Sequence, residues 1–153
     1  MKGYFALSIA CGHDWSLAKE LVEYIESLGH EILDRHVIFP TNKQRLEHFS
    51  KNSGIQDVNP FTVREQDLKW VRESEFMIVE YTNGSWGGGI EFDQATALRQ
   101  ALGLPPIPIL CLLQKGKKGS WIIQGAKFPK LYLREYFDIK EAKEIIKDFF
   151  NKI

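Results

Sequence analysis

The chain has 153 residues, 44% hydrophobic and 26% charged, with a formal net charge of zero. That length suits one domain spanning residues 1–153, able to bury roughly two thirds of its unfolded surface. Zero net charge argues against broad binding to nucleic acid or an acidic membrane, which needs clustered positive charge, but leaves room for a small anionic ligand.

From the N-terminus, Tyr4 to Ala10 reads as a buried strand, followed by a turn in which Asp14 caps a helix. Leu17, Leu21, Val22, Ile25 and Leu28 recur at helical spacing, and Gly29 stops that helix. Glu31 to Leu33 is a short second strand. Residues 38–60 are polar and carry Pro40 and Pro60, so no element is assigned there; a lid and a solvated insertion fit equally well. Thr62 and Glu65 match a capping box for a helix running to about Ser74, with Asp67 in its second turn. Phe76 to Tyr81 is a third strand. A glycine-rich turn follows, Thr82 to Gly89, and opens a helix with Glu91 in its first turn. Gly103, Pro105 and Pro106 end that helix. Ile107 to Leu113 is a fourth strand and Gln114 to Gly119 a basic loop. Ser120 caps a short helix, Lys130 to Arg134 form a last strand, and Asp138 caps a final helix with Glu141 at its third position.

Strands alternate with helices and several strands are continuously apolar, the pattern of a parallel sheet covered on both faces. The expected fold is α/β, a doubly wound five-stranded parallel sheet in the flavodoxin-like order 2-1-3-4-5. Its crevice lies at the carboxyl ends of strands one and three, which gathers Ser8 to Asp14 and Thr82 to Glu91. A helix N-terminus there offers backbone N–H groups and a positive dipole end to an anion. The turn is neither a G-x-G-x-x-G fingerprint nor a P-loop.

Each candidate residue has a plainer interpretation. Glu91 fits an ordinary first-turn glutamate, Asp67 a solvated helix face, Tyr4 a core tyrosine, and Ser8 and Ser85 turn serines. Gly87 to Gly89 could serve close packing alone. Cys11 and Cys111 stand in apolar runs without metal-ligand spacing, as expected of buried thiols in a reducing compartment. Neither metal nor cofactor is expected. The opening Lys2 and apolar run are too short for a convincing signal peptide and no run spans a bilayer, so the expected location is cytoplasmic.

Several runs together resemble the nucleoside 2-deoxyribosyltransferase superfamily, and within it the 2′-deoxynucleoside 5′-monophosphate N-glycosidases. They are Tyr4-Phe5 with Ser8-Ile9, Asp34-Arg35-His36-Val37, Glu65-Gln66-Asp67-Leu68 with Trp70, and Ser85-x-Gly87-x-Gly89-Ile90-Glu91. Ile109 to Leu112, Ser120 and Ile123-Gln124-Gly125-Ala126 complete the match. The resemblance implies that Glu91 is the nucleophile toward C1′ of a deoxyribosyl group. Tyr4 would hold that carboxylate and crowd the 2′ position, and Asp67 would hold the sugar or protonate the departing base. Ser8, Ile9, Ser85, Gly87 and Gly89 would bind substrate, chiefly at the 5′-phosphate, with His36 near sugar and base. Ser120 would reach the phosphate across a homodimer interface.

Two positions depart from that pattern: Ala10 replaces an arginine and Leu7 a glycine. Lys115, Lys117 and Lys118 either restore the lost charge or form a solvated loop. The expectation is hydrolysis of the N-glycosidic bond of deoxynucleoside monophosphates through a deoxyribosyl-glutamate intermediate, releasing base and deoxyribose 5-phosphate. A base-exchanging deoxyribosyltransferase and a nucleotide-binding module without turnover are the alternatives.

Overall fold

The computed structural model of the chain describes residues 1–8 and 14–153. Five parallel strands form one sheet in the order β2-β1-β3-β4-β5. They are β1 (Lys2–Leu7), β2 (Glu31–Ile32), β3 (Phe76–Glu80), β4 (Ile109–Gln114) and β5 (Leu131–Tyr136). The expected winding is therefore present. β1 lies between β2 and β3, with Tyr4 opposite Met77 and Leu7 opposite Glu80.

Alternation of side chains along each strand divides the core into two halves. Tyr4, Ala6, Met77, Val79, Ile109 and Cys111 face one side, with Trp70, Val71, Phe92 and Ala95 packed over them. Phe5, Phe76, Ile78, Leu110 and Leu112 face the other, beneath Leu21, Ile25, Ile146 and Phe149. The first half is covered by α3 (Pro60–Glu73) and α4 (Trp86–Asp93), the second by α1 (Trp15–Ser27) and α7 (Ile139–Phe150). Tyr4 thus points toward the two helices that carry Asp67 and Glu91.

The caps at Asp14 and Asp138 are made as expected, the first accepting from Leu17 N at 3.0 Å and the second from Glu141 N at 2.9 Å. Gly29, just past α1, has φ +86°, the left-handed stop that glycine adopts without strain.

Three expectations are corrected. The 38–60 segment is structured: a 3₁₀ turn, Arg35–Ile38, leads into α2 (Asn42–Ser53), capped by Thr41. Only Phe49 of α2 is buried, so its sequence carries little apolar periodicity. The capping box of α3 uses Asn59 and Thr62 rather than Thr62 and Glu65, which starts the helix earlier at Pro60 and puts Asp67 a turn further in. Gly87, Gly88 and Gly89 lie inside α4, not in the turn before it, so Glu91 falls in the second helical turn. Beyond α4 the helix widens into a π segment, Gln94–Leu98, then closes with α5 (Arg99–Ala101).

Candidate active site

Ser85 stands at the N-cap of α4, its Oγ accepting from Gly88 N at 2.9 Å. A Cβ at position 88 would lie 3.0 Å from that Oγ, so glycine there keeps the cap close. Helical side chains lean back over the residues three and four positions earlier. For Glu91 those are Gly88 and Gly87, which carry no side chain, so the glutamate has a clear path along its own helix. Phe92 and Ala95 seat the helix on the sheet.

Glu91 meets Tyr4 at the centre of the sheet. The Tyr4 hydroxyl donates to the Glu91 carboxylate, and Asp67 on α3 is close enough to raise the pKa of Tyr4 and to be raised by Glu91. Burial pushes Glu91 up to about 7, against the Tyr4 bond, which lowers it. Burial, then the Glu91 charge, pushes Asp67 up to about 8. Asp67 Oδ1 is buried without a hydrogen-bond partner among the described residues. Burial favours the neutral acid of Glu91, and the Tyr4 phenol counters it.

Asp34 is a third carboxyl group that the sequence places only within a matching run. It is fully buried. Its Oδ1 accepts from Phe5 N at 2.9 Å, in place of a further β1–β2 ladder bond, and its Oδ2 has no partner among the described residues. Burial raises its pKa most, and the charges of Asp67 and Glu91 raise it further. Asp34→Ala leaves the Phe5 N–H unpaired and is expected to cost about 1–3 kcal/mol of stability. Urea denaturation reads that cost; Asp34→Asn keeps an oxygen for the N–H and is expected to lose less.

Beside this cluster a cavity of about 690 Å³ opens at the carboxyl ends of β1 and β3. Ser8, Ser85, Gly89 and Ser120 all line it, together with Gly88 and Trp86. Gly87 does not, and neither do Tyr4, Asp67 or Glu91; Tyr4 is buried and the two carboxyl groups are half-buried. Among the described lining residues none is basic, and two, Glu80 and Asp93, are acidic. Lys115, Lys117 and Lys118 are exposed and off the cavity wall. Ile9 and Ala10 lie outside the described residues. Ser120 reaches the cavity of its own chain, and although it is the N-cap of α6 (Trp121–Gln124) its side chain makes no capping bond.

His36 is buried against Phe49 and Trp70, with ring centroids 5.5 and 6.0 Å away. Burial first, then the charges of His48 and Arg45, lowers it to about 4, so it is neutral at physiological pH. Trp70 is one turn from Asp67 on α3, which brings His36 near the carboxyl cluster but off the cavity wall. Among the described residues no His, Cys, Asp or Glu group could hold a metal ion. Cys111 is a free, buried thiol; Cys11 lies outside the described residues. No described helix is long and apolar enough to cross a membrane.

A 5-hydroxymethyl-dUMP N-hydrolase from Rattus norvegicus is 32% identical to this chain over 126 residues, covering 80% of the chain and 68% of the relative. The chain belongs to the 2′-deoxynucleoside 5′-phosphate N-hydrolase family. A second 5-hydroxymethyl-dUMP N-hydrolase, from Esox lucius, is 28% identical over 150 residues, covering 96% of this family member and 94% of the relative. No protein-family model matches the chain. The solved structure of a Clostridium botulinum CMP N-glycosidase superposes with a TM-score of 0.68 over 97% of this N-hydrolase family member and 99% of its own length. At 16% identity that likeness speaks for the fold alone.

Within the N-hydrolase family frame, the described structure brings Tyr4, Asp67 and Glu91 into one cluster and Ser8, Ser85, Gly89 and Ser120 onto one wall. Sequence reasoning gave no role to Asp34 or Glu80. The available signal for Glu80 was an acidic residue at the end of an otherwise apolar strand.

Proposed function

We propose that the protein is an enzyme that hydrolyses the N-glycosidic bond of 2′-deoxynucleoside 5′-monophosphates, releasing the base and deoxyribose 5-phosphate. Its family relatives bear N-hydrolase names. One observation carries the reading: a half-buried glutamate held by a tyrosine hydroxyl, with a half-buried aspartate beside it and a helix-capped cavity alongside.

In this reading an ionised Glu91 oxygen attacks C1′ as the C1′–N bond breaks, and its charge stabilises the oxocarbenium-like transition state. The bonding pair leaves on the base nitrogen, and protonated Asp67 supplies the proton that makes the base a better leaving group. Water then attacks C1′ of the deoxyribosyl-glutamate. Asp67 takes the water's proton and Glu91 leaves as a carboxylate. Tyr4 orients Glu91 and occupies the space a 2′-hydroxyl would need. Ser8, Ser85, Gly89 and Ser120 receive the phosphate through hydroxyls and backbone N–H groups, with Gly87 and Ile9 as further substrate contacts and His36 toward the base.

Incubation with dGMP and the other deoxynucleoside monophosphates, with chromatography of free base, tests the reading. Base and deoxyribose 5-phosphate in equal amounts are expected. Turnover of unphosphorylated nucleosides alone, or incorporation of an added labelled base in place of hydrolysis, would overturn it in favour of a deoxyribosyltransferase. Nucleotide binding without any product would leave a binding module.

Tyr4→Phe removes the one hydrogen bond that lowers the pKa of Glu91. The expected result is a shift of the acidic limb of kcat/KM to higher pH and a fall of about tenfold at pH 7. We also propose a cytoplasmic homodimer. Trp86, Trp121 and Ile122 are 84–93% exposed at or next to the cavity mouth and form the face expected to be covered. Sedimentation analysis of the protein and of Trp121→Glu tests the dimer.

A further inference from the structure

Glu80 is the last residue of β3 and, like Asp34, a buried carboxyl group, but it lies on the cavity wall. The reaction as proposed makes no use of it. Its Oε1 accepts three hydrogen bonds: from Thr82 N at 3.2 Å, from the Thr82 hydroxyl, and from the Tyr136 hydroxyl at 3.1 Å. The Thr82 hydroxyl in turn accepts from Gln114 N at 2.8 Å. Residue 82 is thereby tied to the carboxyl ends of β3, β4 and β5 together.

Three residues later Ser85 begins α4, fixed through its own bond to Gly88 N. The span between, Asn83 and Gly84, forms part of the cavity wall with Ser85. Its course into the helix is therefore set at one end by Glu80 and at the other by Ser85.

We propose that Glu80 is a positioning residue for the anionic end of the substrate, acting through Thr82 to fix the turn that meets the 5′-phosphate. This rests on the monophosphate reading above. A bare carboxylate on that wall would repel a phosphate. Two features suit Glu80 to its place: one oxygen is engaged by three donors, and burial raises its pKa toward the neutral form. What the turn requires of residue 80 is an acceptor oxygen in that position, not a charge. Glutamine supplies the oxygen; alanine does not.

The test measures binding rather than turnover, so that it stands apart from the test of the activity. In a Glu91→Gln parent, calorimetry compares dGMP with deoxyguanosine, before and after adding Glu80→Ala, Glu80→Gln or Thr82→Val. Glu80→Ala and Thr82→Val are expected to weaken dGMP binding about tenfold, the effect of losing one or two well-placed hydrogen bonds. Deoxyguanosine binding is expected to change less than about twofold, and Glu80→Gln to restore dGMP binding to within about threefold of the parent. Equal weakening of both ligands, or of neither, overturns the proposal. So does a glutamine variant as impaired as the alanine one. A parent that binds both ligands equally tightly also overturns it, since no phosphate site then exists to be positioned. If Glu80→Ala fails to fold, Thr82→Val and Glu80→Gln decide the matter. Base release by the unaltered protein is scored separately, so failure of the activity and failure of the positioning role are distinct results.

Discussion

Glu91→Gln is expected to reduce base release by about a thousandfold or more, because an amide of the same shape cannot supply the attacking oxygen anion. The substitution is conservative in every other respect. Glutamine has the same shape, and its carbonyl oxygen can still accept the Tyr4 hydroxyl. Chromatography of the products gives the rate, and a residual rate above a tenth of the original would remove Glu91 from the nucleophile's role. Stability should move the other way. Glu91 has an ordinary pKa near 4.5 and one of about 7 in the folded chain. Between those values the native state holds a proton that the unfolded state has released. Stability therefore falls as pH rises through that range. Glutamine has no proton to lose, so the variant is expected to melt at a higher temperature than the parent at pH 8, with the difference shrinking toward pH 4. An inactive variant that is also more heat-stable at pH 8 separates loss of chemistry from loss of fold.

Asp67 and Glu91 together predict a narrow, bell-shaped profile of kcat/KM against pH. The nucleophile must be ionised, so the rate rises as pH passes about 7. The acid must keep its proton, so the rate falls as pH passes about 8. Because the charge of Glu91 raises Asp67, the upper limb reports the pair rather than Asp67 alone. Asp67→Asn is expected to remove the alkaline limb, to leave the acidic limb in place because Glu91 ionises while Asp67 is still neutral, and to lower the plateau about a hundredfold where the leaving base needs a proton. A substrate whose base does not titrate between pH 5 and 10 makes the measurement clean. An Asp67→Asn enzyme that keeps both limbs and the full rate would assign the proton donor elsewhere.

The sheet was legible in the sequence because its strands are short apolar runs separated by capped helices. Asp14 and Asp138 mark helix starts by their own chemistry, and the structure makes both bonds. Helix α2 was not legible because it buries one residue, Phe49, and is otherwise polar. The start of α4 was misread for a different reason. Three consecutive glycines disfavour a helix by intrinsic propensity, yet the Ser85 cap and the burial of Phe92 and Ala95 hold them in one. At the site, Tyr4, Asp67 and Glu91 were singled out by the family resemblance, because each residue alone reads equally as a core tyrosine, a solvated aspartate or an ordinary helix glutamate. Asp34 and Glu80 depend on partners 29 and 56 residues away, Phe5 and Tyr136, and no local pattern encodes such a pairing.

β1 comes first in the chain but lies inside the sheet. Its pairing with the third strand sets Gly3 opposite Phe76, across a separation of 73 residues. A ribosome must therefore deliver the chain through β3 before β1 finds its second neighbour, and until then that strand has an unpaired edge open to solvent. Non-local pairing of this kind makes folding slow and exposes the nascent chain to aggregation. Glu91 and Tyr4 can meet only after this closure, so the proposed site does not exist in a half-made chain.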